Sequence, residues 1–112
     1  MAFDVSGLNM MLDALGASID SVSLHTLDLL ELSGGSPPYE RQRVRWLPAR
    51  DGIKATAEAM SFDIPAGSVV ASFAFWAGGE RVATGDLVQE TYVSAGQYLL
   101  SVAKLILGGP SV

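Results

Sequence analysis

The only histidine of the chain, His25, stands in the segment VSLHT together with Ser23. Hydrolases build a nucleophile and its base from such a pair, and a nearby acid such as Asp28 could meet the histidine locally. On a strand, Ser23 and His25 share one face and follow each other in the same chain direction, which does not suit a proton relay. No G-x-S-x-G motif is present. We therefore expect His25 to serve the fold or an interface.

Acidic and glycine-rich segments offer little further chemistry. The chain contains no cysteine, which removes thiolate ligands, cysteine nucleophiles and disulfides. Asp28, Glu31 and Glu40 flank a glycine loop, but their spacing matches no calcium-binding pattern. Asp86 and Glu90 could in principle act as the carboxylate pair of a glycosidase, but any acidic chain of this length offers such a pair. No glycine-rich segment matches a nucleotide-binding motif. We predict no enzyme activity, no metal and no cofactor.

A row of arginines is the strongest positive feature. In RQRVRW, residues 41–46, alternation on a strand places Arg41, Arg43 and Arg45 on one face and turns Val44 and Trp46 to the other. The net charge of −5 argues against nucleic acid as a partner, because phosphate binding needs a basic surface. The arginines are therefore expected on a solvated outer face or in salt bridges to an acidic partner protein.

Length and composition predict one small domain with a real core. The chain has 112 residues, of which 49% are hydrophobic. Lysine and arginine are absent before Arg41, so no secretory signal is expected, and no apolar run approaches the length of a membrane span. We expect the protein to be made in a cytoplasm and to have no membrane partner.

One helix is predicted at the N-terminus, in DVSGLNMMLDALGAS. Leu8, Met11, Leu12 and Leu15 have helical spacing on one face, with Asn9 and Asp13 on the opposite face. Asp4 or Ser6 is expected to cap the start, and Gly16 to end the helix. Met10 lies off the main stripe and either belongs to a broad core face or contacts a neighbouring subunit.

Short strands with turn signals about every ten residues follow the helix. The predicted strands are SVSLHT, RQRVRW, ATAEAMSFDI, VVASFAFWA, RVATGDLV and YLLSVAKLIL, and GGPSV is a short tail. Asp51-Gly52 signals a turn, and alternation places Met60, Phe62 and Ile64 on one face of their strand. This rhythm is typical of an antiparallel sandwich or barrel. We predict a single domain over 1–112, with an N-terminal α-helix at 1–17 and a mainly β, jelly-roll-like antiparallel sandwich at 22–107.

A leucine-rich loop interrupts the strands. LDLLELSGGSPPYE, from Leu27 onward, contains paired glycines and prolines that disfavour regular structure, yet Leu27, Leu29, Leu30 and Leu32 lie within it. Leucines at this density either pack against the body or contact another chain. We expect truncation of Leu29 and Leu30 together to weaken assembly more than folding.

Several ordered motifs resemble a known family. SLHT, GGSPPYERQRVRW, FDIPAGSVVASFAFWAGGE and a hydrophobic strand after GQY are similar, in this order, to motifs of small tailed-phage virion proteins, mostly from phages of actinobacteria. Members are labelled minor tail, tail fibre or structural proteins, and the resemblance covers nearly the whole chain. The family has an Asp-Pro-Gly turn after its LHT motif, whereas this chain has LDLLEL, which fits burial against another subunit.

The resemblance implies a structural component of a bacteriophage virion that acts by protein–protein docking. A minor tail, tail-tip or fibre-associated protein is the first expectation, and a capsid decoration protein is the alternative. A homo-oligomer, with a trimer by analogy, is the expected assembly. The candidate contact residues are Met10, Leu27, Leu29, Leu30, Arg41, Arg43 and Arg45. A second alternative is a module that binds host-surface carbohydrate, with Trp46, Trp76, Tyr39, Tyr92 and Tyr98 as stacking platforms.

Overall fold

The computed structural model describes residues 4–106 and 109–111, in which one helix precedes nine strands. Helix α1 is Val5–Ser18, and the strands are β1 Ser21–His25, β2 Gln42–Arg43, β3 Lys54–Ala55, β4 Met60–Ile64, β5 Ser68–Ala77, β6 Glu80–Tyr92, β7 Gly96–Leu100, β8 Lys104–Ile106 and β9 Gly109–Ser111. The prediction of a mainly β fold with one N-terminal helix is confirmed. Residue 107, the predicted end of the β body, lies outside the described residues.

The strands form three antiparallel sheets. Four strands pair in the order β2-β1-β5-β6, three in the order β3-β8-β9, and β4 pairs with β7. In β5, every residue from Val70 to Phe75 is buried, so this strand is covered on both faces. The nearly continuous apolar run VVASFAFWA provides apolar side chains on both faces of β5.

The core lies between the sheets and draws apolar side chains from each of them and from α1. Phe73 and Phe75 of β5 meet edge to face, with ring centroids 5.5 Å apart, and Tyr39 stacks near Phe62 of β4. The large, fully buried side chains are Leu12, Val22, Leu24, Phe62, Ile64, Val70, Phe73, Phe75 and Leu105. Burial of Met60, Phe62 and Ile64 on one side of β4 confirms the predicted alternation.

The turn at Asp51-Gly52 is confirmed as a hairpin. Arg50 and Ile53 exchange two backbone hydrogen bonds of 2.9 Å, and the two residues between them have φ values of 54° and 75°. Positive φ at both central positions is the conformation that a two-residue hairpin turn requires. We call residues 47–55 the 47–55 hairpin.

The prediction of one last strand over YLLSVAKLIL is wrong. The chain leaves β7, which pairs with β4, and crosses to β8, which pairs with β3. At the crossing, Ala103 is fully buried and its amide donates to the Thr56 hydroxyl, while the Thr56 amide donates to the Ala103 carbonyl. The predicted tail GGPSV contains β9, which pairs with β8.

The helix runs past its predicted end, because Gly16 lies inside it and is buried. A Cβ at Gly16 would come within 2.8 Å of the Lys54 Cε, so glycine here allows a close approach to β3 rather than a stop. Leu12 is fully buried, as predicted, whereas Leu15 is 37% exposed. Asp4 occupies the N-cap position, but its side chain makes no capping hydrogen bond.

The prediction that Asn9 and Asp13 face away from the body is wrong. The Asn9 side-chain oxygen accepts the Gly52 amide at 2.9 Å, and Asp13 Oδ1 accepts the Ala49 amide at 2.9 Å and Lys54 Nζ at 2.5 Å. Polar residues were assigned to solvent by periodicity, yet here they satisfy backbone donors of the 47–55 hairpin. These bonds fix α1 on that hairpin.

Candidate functional site

The histidine and the serine that could do chemistry are hydrogen-bonded to each other. Ser23 Oγ lies 2.5 Å from His25 Nε2, and Trp76 Nε1 donates to the same oxygen at 2.6 Å. His25 Nδ1 lies 3.1 Å from the Leu29 carbonyl oxygen. Ser23 and His25 were expected to lack the geometry of a proton relay, and this expectation is wrong, because the two side chains are hydrogen-bonded. The second partner of His25 is the Leu29 carbonyl and not Asp28, which was considered for this position.

The partners of this group assign its protons. An indole N–H can only donate, so the Ser23 oxygen accepts from Trp76. A carbonyl oxygen can only accept, so His25 Nδ1 donates to Leu29, and the tautomer with its proton on Nδ1 leaves Nε2 as the acceptor of the Ser23 hydroxyl. The imidazole thus joins Ser23 to the loop after β1, with one hydrogen bond at each ring nitrogen.

Burial makes the hydrogen-bonded Ser23 and His25 inaccessible to substrates. Ser23 is 0% exposed and His25 is 2% exposed, so the serine oxygen has no open side from which a substrate could approach. It is already hydrogen-bonded to both Trp76 and His25. The arrangement can hold the loop after β1 against β5, and it offers no accessible nucleophile.

A second set of polar contacts covers the group from outside. The Arg41 guanidinium lies over the Trp76 ring, 3.7 Å from its centroid, which is a cation–π geometry. The same guanidinium donates two hydrogen bonds to Glu31, at 2.9 Å and 2.8 Å. Arg41 was predicted as a contact residue of a partner protein, but it has an intramolecular partner on each side.

Tyr39 links this layer to the backbone of β1. Its hydroxyl accepts the Leu24 amide at 2.9 Å and donates to Glu31 Oε2 at 3.0 Å. Burial raises the pKa of Tyr39, while the hydrogen bond from Arg41 lowers the pKa of the Glu31 carboxyl below its usual value. We call Ser23, His25, Trp76, Arg41, Glu31 and Tyr39 the outer polar network.

The alternation predicted for the arginine row is confirmed in its burial. Arg43 and Arg45 are exposed, Val44 is buried, and Trp46 is half-buried with its ring 5.2 Å from that of Phe75. Only the second and third residues of the six, Gln42 and Arg43, form strand β2. Within the described residues, Arg43 and Arg45 have no ion pair, so they remain candidate contacts.

The aromatic residues proposed as sugar platforms are largely engaged by the protein itself. Trp76 has Arg41 over its ring and its indole nitrogen on Ser23, and Trp46 packs on Phe75. Tyr39 is 8% exposed, while Tyr92 and Tyr98 pack against the core as partly buried residues. The faces that would stack on a sugar ring are therefore used in packing.

The leucine-rich loop presents three leucines to solvent. Leu27, Leu29 and Leu30 are 67%, 46% and 65% exposed, whereas Leu32 is 6% exposed and belongs to the core. The base of the exposed part is fixed by the Thr26 amide, which donates to the Leu30 carbonyl at 2.9 Å. We call residues 26–30 the leucine loop.

Met10 is the other apolar candidate on the surface. It is 71% exposed on the solvent side of α1, so of the two alternatives for it the broad core face is wrong. Asp86 and Glu90, the acidic pair, stand exposed on β6. Within residues 4–106 and 109–111, no group of three or more histidine, aspartate or glutamate side chains is placed to hold a metal ion.

Sequence patterning did not indicate a groove along the 47–55 hairpin. Its volume is about 520 Å³, and Leu47, Pro48, Arg50 and Ile53 are among the residues that line it. Leu47 is 50% exposed and Ile53 is 37% exposed. The segment LPARDGIK contains a turn signal but no periodicity, so no sequence rule distinguishes an open groove here from an ordinary loop.

Comparison with protein-family models, with curated proteins and with solved structures found no match to this chain. In the part of the chain that the structure describes, no helix combines the length and the apolar character that crossing a membrane requires.

Proposed function

We propose that the protein is a structural component of a tailed bacteriophage virion, a minor tail, tail-tip or fibre-associated protein that acts by protein–protein docking. It is not an enzyme in this proposal, and it assembles with itself and with other virion proteins. The ordered motifs SLHT, GGSPPYERQRVRW and FDIPAGSVVASFAFWAGGE support the family. Capsid decoration remains the alternative position in the particle.

The leucine loop is the observation that carries the docking role. Leu27 and Leu30, two-thirds exposed, stand on a loop whose base is fixed by hydrogen bonds, so the apolar tip is a built feature rather than a frayed end. Exposed leucines at this density are typical of protein–protein contacts. The only serine–histidine pair is sealed by Trp76, which supports a structural role for the polar residues.

Purified particles test the proposal. Virions of the phage that encodes the chain would be separated into tails and heads, and each fraction analysed by mass spectrometry. We expect the protein in the tail fraction, and recovery on preformed shells would favour decoration instead. Absence from all particle fractions of a phage that expresses the protein would refute the virion role.

A further inference from the structure

Two apolar surfaces lie at opposite ends of strand β1. Helix α1 ends at Ser18, just before β1 begins, and it is bonded to the 47–55 hairpin through Asn9 and Asp13. The leucine loop follows the last residue of β1, His25. β1 has five residues and spans about 17 Å at the usual rise per strand residue. The groove and the loop are therefore separated along the molecule.

The path of β2 supports this placement. β2 runs antiparallel to β1, with Gln42 opposite Val22 and Arg43 opposite Ser21, and the Val44 amide then donates to the Asp20 carbonyl. The chain thus moves past the beginning of β1 before it enters the 47–55 hairpin. The groove lies at that end, and the leucine loop lies at the other.

The two surfaces are complementary in chemistry. The leucine loop offers exposed Leu27 and Leu30 with the exposed carboxylate of Asp28 between them. The groove offers apolar Leu47 and Ile53 with the exposed guanidinium of Arg50. Asp28 and Arg50 have no ion pair within residues 4–106 and 109–111.

The other charges near these surfaces leave this match in place. Asp51 also lines the groove, at the tip of the hairpin, and it sets a carboxylate beside Arg50. Glu31, near the loop, is already neutralised by Arg41 at 2.8 Å. Arg50 is the only cation that lines the groove, and the Asp28 carboxylate is the unpaired charge on the loop.

We infer that the leucine loop of one copy of this chain seats in the 47–55 groove of the next copy, with Asp28 of the first paired to Arg50 of the second. Two different surfaces meet in such a contact, so the copies add head to tail and form a ring or an open array. The inference rests on the proposed function in one respect, that the chain works by docking to itself.

A charge exchange tests the contact. Self-association of the whole chain would be measured by sedimentation velocity over a wide concentration range, for the wild type, Asp28→Arg, Arg50→Asp and the double variant. Each single variant should weaken association about tenfold or more, and the double variant should regain most of it, because its pair is restored with the charges exchanged. Arg81→Asp, which changes an exposed arginine on β6, is the matched control and should leave association unchanged.

A second variant separates assembly from folding. Leu27→Ser with Leu30→Ser should abolish association while the melting temperature stays near that of the wild type, because both side chains are already exposed. A chain that is monomeric at every concentration, a double variant with no recovery, or association that persists in the serine variant would each overturn the inference. A dimer that adds no third copy would do so too, since head-to-tail addition leaves one loop and one groove free to bind further copies.

These outcomes are distinct from those of the virion test. A protein found in tails but monomeric in solution would retain the proposed function and lose the head-to-tail contact. A protein that assembles through Asp28 and Arg50 but is absent from particles would retain the contact and lose the virion role.

Discussion

From Val22 to His25, the two faces of strand β1 are equally buried but are held in different ways. On the inner face, Val22 and Leu24 are 0% exposed and pack on apolar neighbours in the core. On the outer face, Ser23 and His25 are 0% and 2% exposed, and hydrogen bonds satisfy them. Apolar packing is additive over many small contacts, whereas a buried polar group is costly as soon as one partner is missing.

The difference explains why a chain with so little chemistry contains a serine–histidine pair. The outer face of β1 is covered by Trp76 rather than by water, so polar residues there need partners inside the protein. His25 has an acceptor and a donor nitrogen and can join Ser23 to the Leu29 carbonyl. A hydrocarbon at the same position could fill the space, but it would leave the Ser23 proton and that carbonyl unpaired.

Truncation on the inner face is expected to have the largest effect. Leu24→Ala removes a fully buried side chain and leaves a cavity, and it should lower the free energy of unfolding by about 3 kcal/mol. Equilibrium denaturation in urea would measure the loss. Leu99→Ala, in which the leucine is 60% exposed on β7, is the control and should cost far less. Equal losses for the two variants would contradict the assignment of the core.

The outer face provides a matched pair of serines. Ser23→Ala leaves the Trp76 indole N–H and His25 Nε2 without a partner, and it should cost about 2 kcal/mol in the free energy of unfolding. Ser72 lies opposite His25 on β5, is 5% exposed, and its Oγ has no hydrogen-bond partner within the described residues. Ser72→Ala should therefore be close to neutral, since it removes a polar atom that is already unpaired.

Denaturation of both alanine variants under one set of conditions makes the comparison direct. The near-ultraviolet circular dichroism of Trp76 gives a second readout, because loss of the Ser23 acceptor should alter the signal in the folded state. A Ser23→Ala variant as stable as Ser72→Ala would mean that the outer polar network contributes nothing beyond filling space.

Much of the fold could be predicted from alternation and turn signals. The strand at Met60–Ile64 and the turn at Asp51-Gly52 follow from local patterns, because one side of β4 faces the core and the turn needs two positive φ values. The break between β7 and β8 could not be predicted. It depends on Thr56, 47 residues before Ala103 in the chain, whose hydroxyl holds the crossing. Local periodicity contains no information on such a partner.

The candidate site was less predictable than the fold. Exposure of Arg43 and Arg45 followed from the alternation with Val44. The burial of His25 could not be predicted from alternation, because it depends on Trp76. This residue pairs with Ser21 across the sheet, and its indole nitrogen donates to Ser23. Arg41 was grouped with the other arginines by spacing alone, and its partner Glu31 lies ten residues before it in the loop. Side-chain pairing across loops decides which charges remain available at the surface.

A smaller effect is expected where the outer polar network meets the backbone. Tyr39→Phe removes the acceptor of the buried Leu24 amide and should cost about 1 kcal/mol in the free energy of unfolding at neutral pH, because the ring packing is kept. Burial raises the pKa of Tyr39 above 10.0, so its contribution is present below pH 10 and is lost as the pH rises further. Urea denaturation of the wild type and Tyr39→Phe at pH 7 and at pH 10.5 checks the cost of the substitution and its dependence on pH. If Tyr39→Phe lowered the free energy of unfolding more at pH 10.5 than at pH 7, the role assigned to the Tyr39 hydroxyl would be contradicted.

The smallest effect is expected at the surface of the network, in the pair of Glu31 and Arg41. The pair is partly exposed, with 26% and 36% of the side chains accessible, so Glu31→Gln should cost less than about 1 kcal/mol at pH 7. The pKa of Glu31 is lowered below 4.5 in the folded state, chiefly by the hydrogen bond from Arg41. The folded protein therefore binds fewer protons than the unfolded chain in this range. The stabilisation is complete above about pH 4.5 and is lost as the pH falls through the lowered pKa.

Denaturation of wild type and Glu31→Gln from pH 7 to pH 3 should thus show a difference that shrinks on acidification. Asp13 also has a lowered pKa, through Lys54, and it gives the wild type and the variant the same additional acid sensitivity. Asp13→Asn in both backgrounds removes that shared part and leaves the contribution of Glu31. If the difference between the two proteins stayed constant down to pH 3, Arg41 would be held by Trp76 alone, and the network would end at the aromatic ring rather than at the carboxylate.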